Sequence, residues 1–201
     1  MNKNILGIFS ILIAFVVITN TTYAEQGEGS LKAHVHGLSE LTIAMENNVV
    51  EIQLTSPAMN LVGFEHSASS KTDIAAVENA ESILRQHKAL FSFSDAGCKH
   101  LETNVDTSTL IDSDNHVHDH HYQSHKDEHH HDHEDHDEDE SHSEIVANYK
   151  YSCKDSSKLS SIEVGLFESF HGIHKIQAMW VVHAKQGSKE LRASDTVIGF
   201  R

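Results

Sequence analysis

What this chain lacks narrows it first. Its 201 residues contain no His-Glu-x-x-His, no Gly-x-Ser-x-Gly and no phosphate-binding glycine loop, so no familiar catalytic arrangement is anchored and no enzyme activity is expected. Cations are scarce: 15 Lys and Arg stand against 30 Asp and Glu, a formal charge of −15 with histidine neutral. Such a surface repels nucleic acid and anionic lipid and attracts cations, so no nucleic-acid partner is expected. There are two cysteines, Cys98 and Cys153, and no Cys-x-x-Cys pair. The N-terminal apolar stretch, Ile5 to Ile18, is too short and too polar at its flanks for a membrane span. No cysteine follows it to carry a lipid.

That apolar stretch follows Lys3 and leads to small residues ending at Thr22-Tyr23-Ala24, the three-part pattern of a secretory signal cleaved after Ala24. The expected organisation is a signal over residues 1–24 and one domain over 25–201, with no stable membrane insertion once the signal is gone. Removing 24 of 201 residues leaves 177, enough for one ordinary domain. In an oxidising compartment two cysteines usually pair. A Cys98–Cys153 bridge would close a segment of 56 residues, an effect of about 4 kcal/mol on the chain-entropy estimate. The alternative is a pair of zinc thiolates, which the wide separation and the missing Cys-x-x-Cys disfavour.

Between those cysteines lies the chain's most unusual composition. Eleven of nineteen histidines fall between His116 and His142, with ten Asp or Glu and one basic residue, Lys126. They are His116, His118, His120, His121, His125, His129, His130, His131, His133, His136 and His142. The segment has almost no apolar side chain with which to offset the entropy of ordering, so it cannot build a core. Neutral imidazole and carboxylate are good ligands for borderline divalent metals, Zn2+ among them. An irregular, internal run interleaved with acid is not an expression tag. The expectation is a flexible, metal-collecting insertion at about 112–144, stapled at its base by the cysteine pair.

The flanking halves read as mixed α and β. Ala33–Glu46 alternates, Asn47-Asn48 turns, and Val49–Leu54 alternates again, a strand hairpin. Thr55-Ser56-Pro57 stops that strand, and Pro57 is the only proline. Ile74, Val77, Ala80, Ile83 and Leu84 recur at helical spacing over Asp73–His87, with Thr72 or Asp73 as the cap. Leu90–Phe93 reads as a strand that His100–Val105 would pair. Beyond the histidines, Glu144–Tyr151 and Ile162–Leu166 read as strands, and Lys175–Ala184 with Glu190–Arg192 as a hairpin about Gln186-Gly187. His183 is expected buried in that hairpin, and His87 and His100 structural or on the surface.

Outside the run, three patterns could hold metal. His34-Val35-His36 on a strand would point two imidazoles to one face. Glu65-His66 adds a carboxylate and an imidazole just past Pro57, either as ligands or as an orienting pair. His171 and His174 share a side if the backbone is helical or tightly turned, and Gly172 favours the turn.

With these residues quoted, the chain resembles the ZrgA-like family of periplasmic zinc-binding proteins of Gram-negative bacteria. The likeness lies in AHVHG (33–37), the Leu41-x-Ile43 strand, TSPAMNLVGFEH (55–66) with the helix after it, and the histidine- and acid-rich insertion between two cysteines. It covers essentially the whole chain after the signal. The resemblance implies a pseudosymmetric α+β sandwich of strand hairpins and short helices, zinc sites on the folded body, and a periplasmic role in zinc homeostasis beside an ABC-type zinc importer. Carried over by position, His34, His36, Glu65 and His66 are its body-site candidates. Relatives tend to have Phe-Pro-Gly where this chain has Phe170-His171-Gly172, so His171 is a departure. Two other functions compete. One is a nickel- or copper-sequestering chaperone, though four methionines and two cysteines are few soft ligands for copper(I). The other is a periplasmic metalloenzyme with a metal-loading segment.

Overall fold

The computed structural model describes residues 35–111 and 143–200. The N-terminal apolar stretch, His34 and the eleven histidines of the run lie outside them.

Among the described residues there are nine strands, in two sheets, and four α-helices. The chain runs β1 (Leu38–Glu46), β2 (Val49–Pro57), α1 (Ala58–Val62), α2 (Lys71–Leu84), α3 (His87–Leu90), β3 (Phe91–Phe93) and β4 (Cys98–Asp106). It resumes with β5 (Glu144–Cys153), β6 (Ser161–Val164), α4 (Leu166–Ser169), β7 (Lys175–Val182), β8 (Lys185–Leu191) and β9 (Val197–Gly199). The larger sheet has the order β4-β5-β2-β1-β7-β8, and the smaller β3-β6-β9. Every neighbouring pair is antiparallel except β1 with β7. This is the expected α+β, mostly-strand sandwich.

The alternation seen in the sequence decides which sheet face is buried. Leu41 and Ile43 of β1, Ile52 and Leu54 of β2, Ile145, Ala147 and Tyr149 of β5, and Ile176 and Ala178 of β7 all point inward. The core is completed by Val77, Ala80 and Leu84 of α2 and by Phe91, Ile162, Val164 and Ile198 of the small sheet. Tyr149 joins the layers: its ring meets Phe91 edge-on at 4.9 Å, and its hydroxyl donates to the Leu84 carbonyl at 2.9 Å. Burial raises that hydroxyl's pKa well above the ordinary tyrosine value. No helix among the described residues is long and apolar enough to cross a membrane.

Several local expectations are corrected. β1 begins at Leu38, because the Leu38 amide donates to the Val35 carbonyl at 3.0 Å and turns the chain there; His36 therefore sits in a turn. β2 continues through Pro57, whose position opposite Glu144 closes the ladder with β5. The α2 cap is Ser70, whose hydroxyl accepts from the Asp73 amide at 3.1 Å, not Thr72 or Asp73. β3 pairs with β6, and β4 pairs with β5. The reason is burial: β3 contributes the core residue Phe91, while polar β4 has the burial pattern of an edge strand. The last hairpin turns at His183-Ala184, with φ 54° and 58°, as a two-residue turn of right-handed twist requires. Gln186-Gly187 lies inside β8, where the Trp180 indole covers Gly187 so closely that a Cβ would collide with it. His183 is accordingly exposed, and its Nε2 lies 3.1 Å from the Leu159 carbonyl.

Cys98 and Cys153 are bonded and stand opposite one another in the β4–β5 register. Their place, however, is the far end of that ladder from the histidine run. The base of the run is held instead by hydrogen bonds: Thr109 Oγ1 to the Glu144 carbonyl at 2.9 Å, and Ser143 Oγ to the Thr109 carbonyl at 3.2 Å.

The capping assignment is testable by substitution. Ser70→Ala should cost about 1 kcal/mol in urea unfolding, while Thr72→Ala should stay within about 0.5 kcal/mol of the parent.

Candidate metal centre

One end of the larger sheet collects several of the residues expected as metal ligands. The turn Val35–Leu38 enters β1 there, β2 leaves into α1 there, and the segment 63–68 follows at once. Asn60, in α1, ties these pieces together. It is 3% exposed, and its Oδ1 accepts from the Gly37 amide at 2.6 Å while its Nδ2 donates to the Leu38 carbonyl at 2.9 Å. Ser39 and Ser56, also buried, face the same amide group at 3.4 and 3.3 Å and each other at 2.8 Å. Fully partnered polar clusters of this kind fix one local geometry, because any rearrangement leaves a buried polar group unpaired.

Gly37 is where the two halves of the chain meet. Its φ of +85° is left-handed, and its carbonyl accepts from the amides of His174 and Lys175 at 2.8 and 2.9 Å. The His174 imidazole lies over its α-carbon, with Nδ1 2.8 Å from where a Cβ would stand. Gly172 rests on the backbone of Asn60 with no room for a Cβ. Only glycine fits at either position, one for conformation and contact, the other for contact alone.

The expected ligands divide accordingly. His36 Nε2 lies 3.2 Å from Glu65 Oε1, the imidazole half exposed and the carboxylate largely buried. With His174 seated over Gly37, three expected residues, His36, Glu65 and His174, flank one turn. His66 turns elsewhere: its ring stacks on Phe64 at 4.6 Å and its Nε2 lies 3.5 Å from Asp73 Oδ2. Hydrogen bonding to Ser70 and, less strongly, to His66 holds the Asp73 carboxyl below its ordinary range. His171 is exposed on the turn beside α1. The strand argument for a His34–His36 pair is corrected, since His36 lies in a turn; His34 lies outside the described residues. Among the described residues no three His, Cys, Asp or Glu side chains are already gathered at metal-holding distances. The His36–Glu65 pair is thus an oriented imidazole with a carboxylate beside it, able to chelate or to brace a ligand after a side-chain rotation.

Sequence reasoning missed Asn60. Its signal is an amide inside the otherwise apolar helix Ala58–Val62, where a buried polar side chain has to find partners. The cluster predicts a hierarchy of costs. Asn60→Ala strips partners from two backbone groups and should cost roughly 2–4 kcal/mol, and Ser39→Ala, which spares both, about 1 kcal/mol, by urea unfolding.

The sequence was also compared with known proteins. The family model described as ZrgA family zinc uptake protein matches residues 33–200. Among curated proteins none matches the chain. A match across so much of the sequence means that the chain belongs to the ZrgA family of zinc uptake proteins.

Proposed function

Taking that membership as the premise, we propose that this protein is exported, loses residues 1–24, and captures or buffers Zn2+ in the periplasm of a Gram-negative bacterium, supporting import by an ABC-type zinc transporter. The histidine run is the collector. Its imidazoles and carboxylates are interchangeable ligands, so an ion passes between overlapping sets at little cost. The His36–Glu65–His174 turn, with His34 beside it in sequence, is the smaller and tighter site. Neutral imidazole nitrogen with one carboxylate oxygen suits zinc, and each further ligand that approaches comes to an imidazole already oriented by Glu65.

The observation that carries this reading is the position of the run's two ends. Ser143 accepts from the first amide of α1, Ala58, at 2.8 Å, and Leu110 accepts from Ala68 at 2.7 Å. Both ends of the run are therefore fastened to the segments that bear Asn60, Glu65 and His66. A collector leaving the body at that point raises the local concentration of zinc at the turn. His36 and His174 are also exposed, and three cavities among the described residues, of about 440, 580 and 500 Å³, are lined by other residues. That exposure favours exchange with a partner over chemistry on a substrate.

Zinc titration by calorimetry tests the ligand chemistry. Capacity should fall sharply between about pH 7.5 and about pH 5.5, because histidine must be neutral to ligate and its ordinary pKa is about 6.5; equal capacity would remove imidazole from the mechanism. Deleting residues 114–142 should abolish most of the stoichiometry and slow loading, yet leave the tightest site. His36→Ala with Glu65→Gln should weaken that tightest site by at least about tenfold while keeping the bulk stoichiometry. Loss of the tightest site on deletion of the run would instead make the run the primary binder.

A further inference from the structure

At the opposite end of the β4–β5 ladder a second set of metal-binding side chains shares one place. A cavity of about 500 Å³ is lined by His87, Cys98, His100 and Tyr151, with Lys88 and Lys99 at its edge. His87 and His100 lie face to face there, ring centroids 3.8 Å apart and planes within 7°. Cys153 joins them through its bond to Cys98. The positions follow from register. Cys98 and His100 are two residues apart on β4, before the irregularity between His100 and Glu102, so they share a face; Cys153 is directly across from Cys98 and Tyr151 from His100.

We propose that the Cys98–Cys153 disulfide is a redox gate over a latent thiolate–imidazole zinc site whose ligands are Cys98, Cys153 and His100, with His87 as the fourth. Reduction by a dithiol is balanced: two electrons and two protons from the donor convert the cystine to two thiols, and the donor leaves as its own disulfide. Zinc entry then displaces the two thiol protons to solvent. Exchange with a second disulfide runs the step backwards: the two thiolates pass two electrons to that disulfide, which takes up two protons and leaves as a dithiol, the Cys98–Cys153 bond re-forms, and the ion is released.

A tetrahedral zinc requires His87 to turn out of its stack on His100, because parallel rings 3.8 Å apart cannot both aim a nitrogen at one ion. Opposed residues of an antiparallel pair keep their Cβ atoms about 4.5–5.5 Å apart, which lets two sulfurs take the spacing of about 3.8 Å that two Zn–S bonds of about 2.3 Å require. His100 is already braced in the manner of a zinc ligand: its Nε2 lies 2.7 Å from Thr103 Oγ1, leaving Nδ1 to face a metal. Lys88 and Lys99 line the same cavity. Cations so close favour thiolate over thiol and balance the charge that two thiolates bring. Nothing in this proposal depends on the Gly37 turn binding metal.

Cobalt(II) distinguishes this site from every imidazole and carboxylate in the chain, because only thiolate ligands give sulfur-to-cobalt charge transfer in the near ultraviolet. The full chain is reduced anaerobically with a phosphine, freed of it by gel filtration, and titrated with cobalt(II). The expected result is a charge-transfer band with tetrahedral visible bands, saturating at one equivalent, absent from the oxidised chain, and bleached by zinc. His100→Ala, which keeps both cysteines, should weaken cobalt binding at least tenfold and shift the visible bands, with circular dichroism unchanged. Absence of the band in the reduced, still folded chain overturns the proposal. So does a band that His87→Ala and His100→Ala together leave unaltered, since the thiols would then bind metal without the imidazoles.

Discussion

The buried amide of Asn60 is the interaction on which the functional end of this protein depends. One side chain satisfies the Gly37 amide and the Leu38 carbonyl, contacts two buried serines, and supports the Gly172 turn on its own backbone. Each bond is worth only about 1 kcal/mol net. Leaving those groups unpaired inside the protein would cost more, and that asymmetry holds the arrangement to one geometry. Because α1, the turn before β1 and the turn before β7 all answer to this residue, three stretches of chain distant in sequence are held together. His36 and His174 are carried outward by two of those stretches, and Glu65 follows α1 to lie against His36.

The parallel pairing of β1 with β7 makes this convergence possible. Two parallel neighbours start at the same end of the sheet, so the residues that precede them, His36-Gly37 and Ile173-His174, must lie side by side. The β1–β2 hairpin then brings Pro57 and α1 back to that end, and β5 begins there opposite Pro57. Both attachment points of the histidine run fall at that edge as a consequence of topology. The disulfide lies at the other end of β5, too far away to brace the run, so its constraint acts on the β4 edge and on the His87–His100 cavity.

Much of this was legible in the sequence, and the failures have physical causes. Strand alternation located β1, β2, β5 and β7, since sheet faces differ sharply in burial; Asn47-Asn48 marked its hairpin for the same reason that Asn tolerates positive φ. The β7–β8 turn was hidden because His183 and Ala184 carry no turn signal, while the nearby glycine exists to accommodate Trp180. His36 and Glu65 stood out as ligand types in a specific motif. His66, their neighbour, is drawn away by the N-terminus of α2, where Ser70, Asp73 and the imidazole form a local set. His174 reaches the His36 turn through Gly37 and not through its spacing from His171, a relation that only the β1–β7 pairing creates. Residue types can suggest a metal site; which of them meet is decided by long-range register, and that information is not local.

Under the proposed function, the two ways of holding zinc would differ chiefly in when the ordering cost is met. In the turn, the backbone around His36 and His174 is fixed by folding and the imidazole is oriented by Glu65, so binding has little left to order. In a run of interchangeable imidazoles and carboxylates, each bound ion must gather its own ligands, at roughly 1–2 kcal/mol of backbone entropy per residue fixed. Many weak, quickly exchanging sites and a few strong ones follow from that difference, even where the ligand atoms are the same. Attached beside the ordered turn, the proposed collector would present ions at high local concentration while holding each one more weakly than the turn does. A chain this acidic attracts cations; under the proposed function, the gradient in preorganisation would decide where zinc comes to rest.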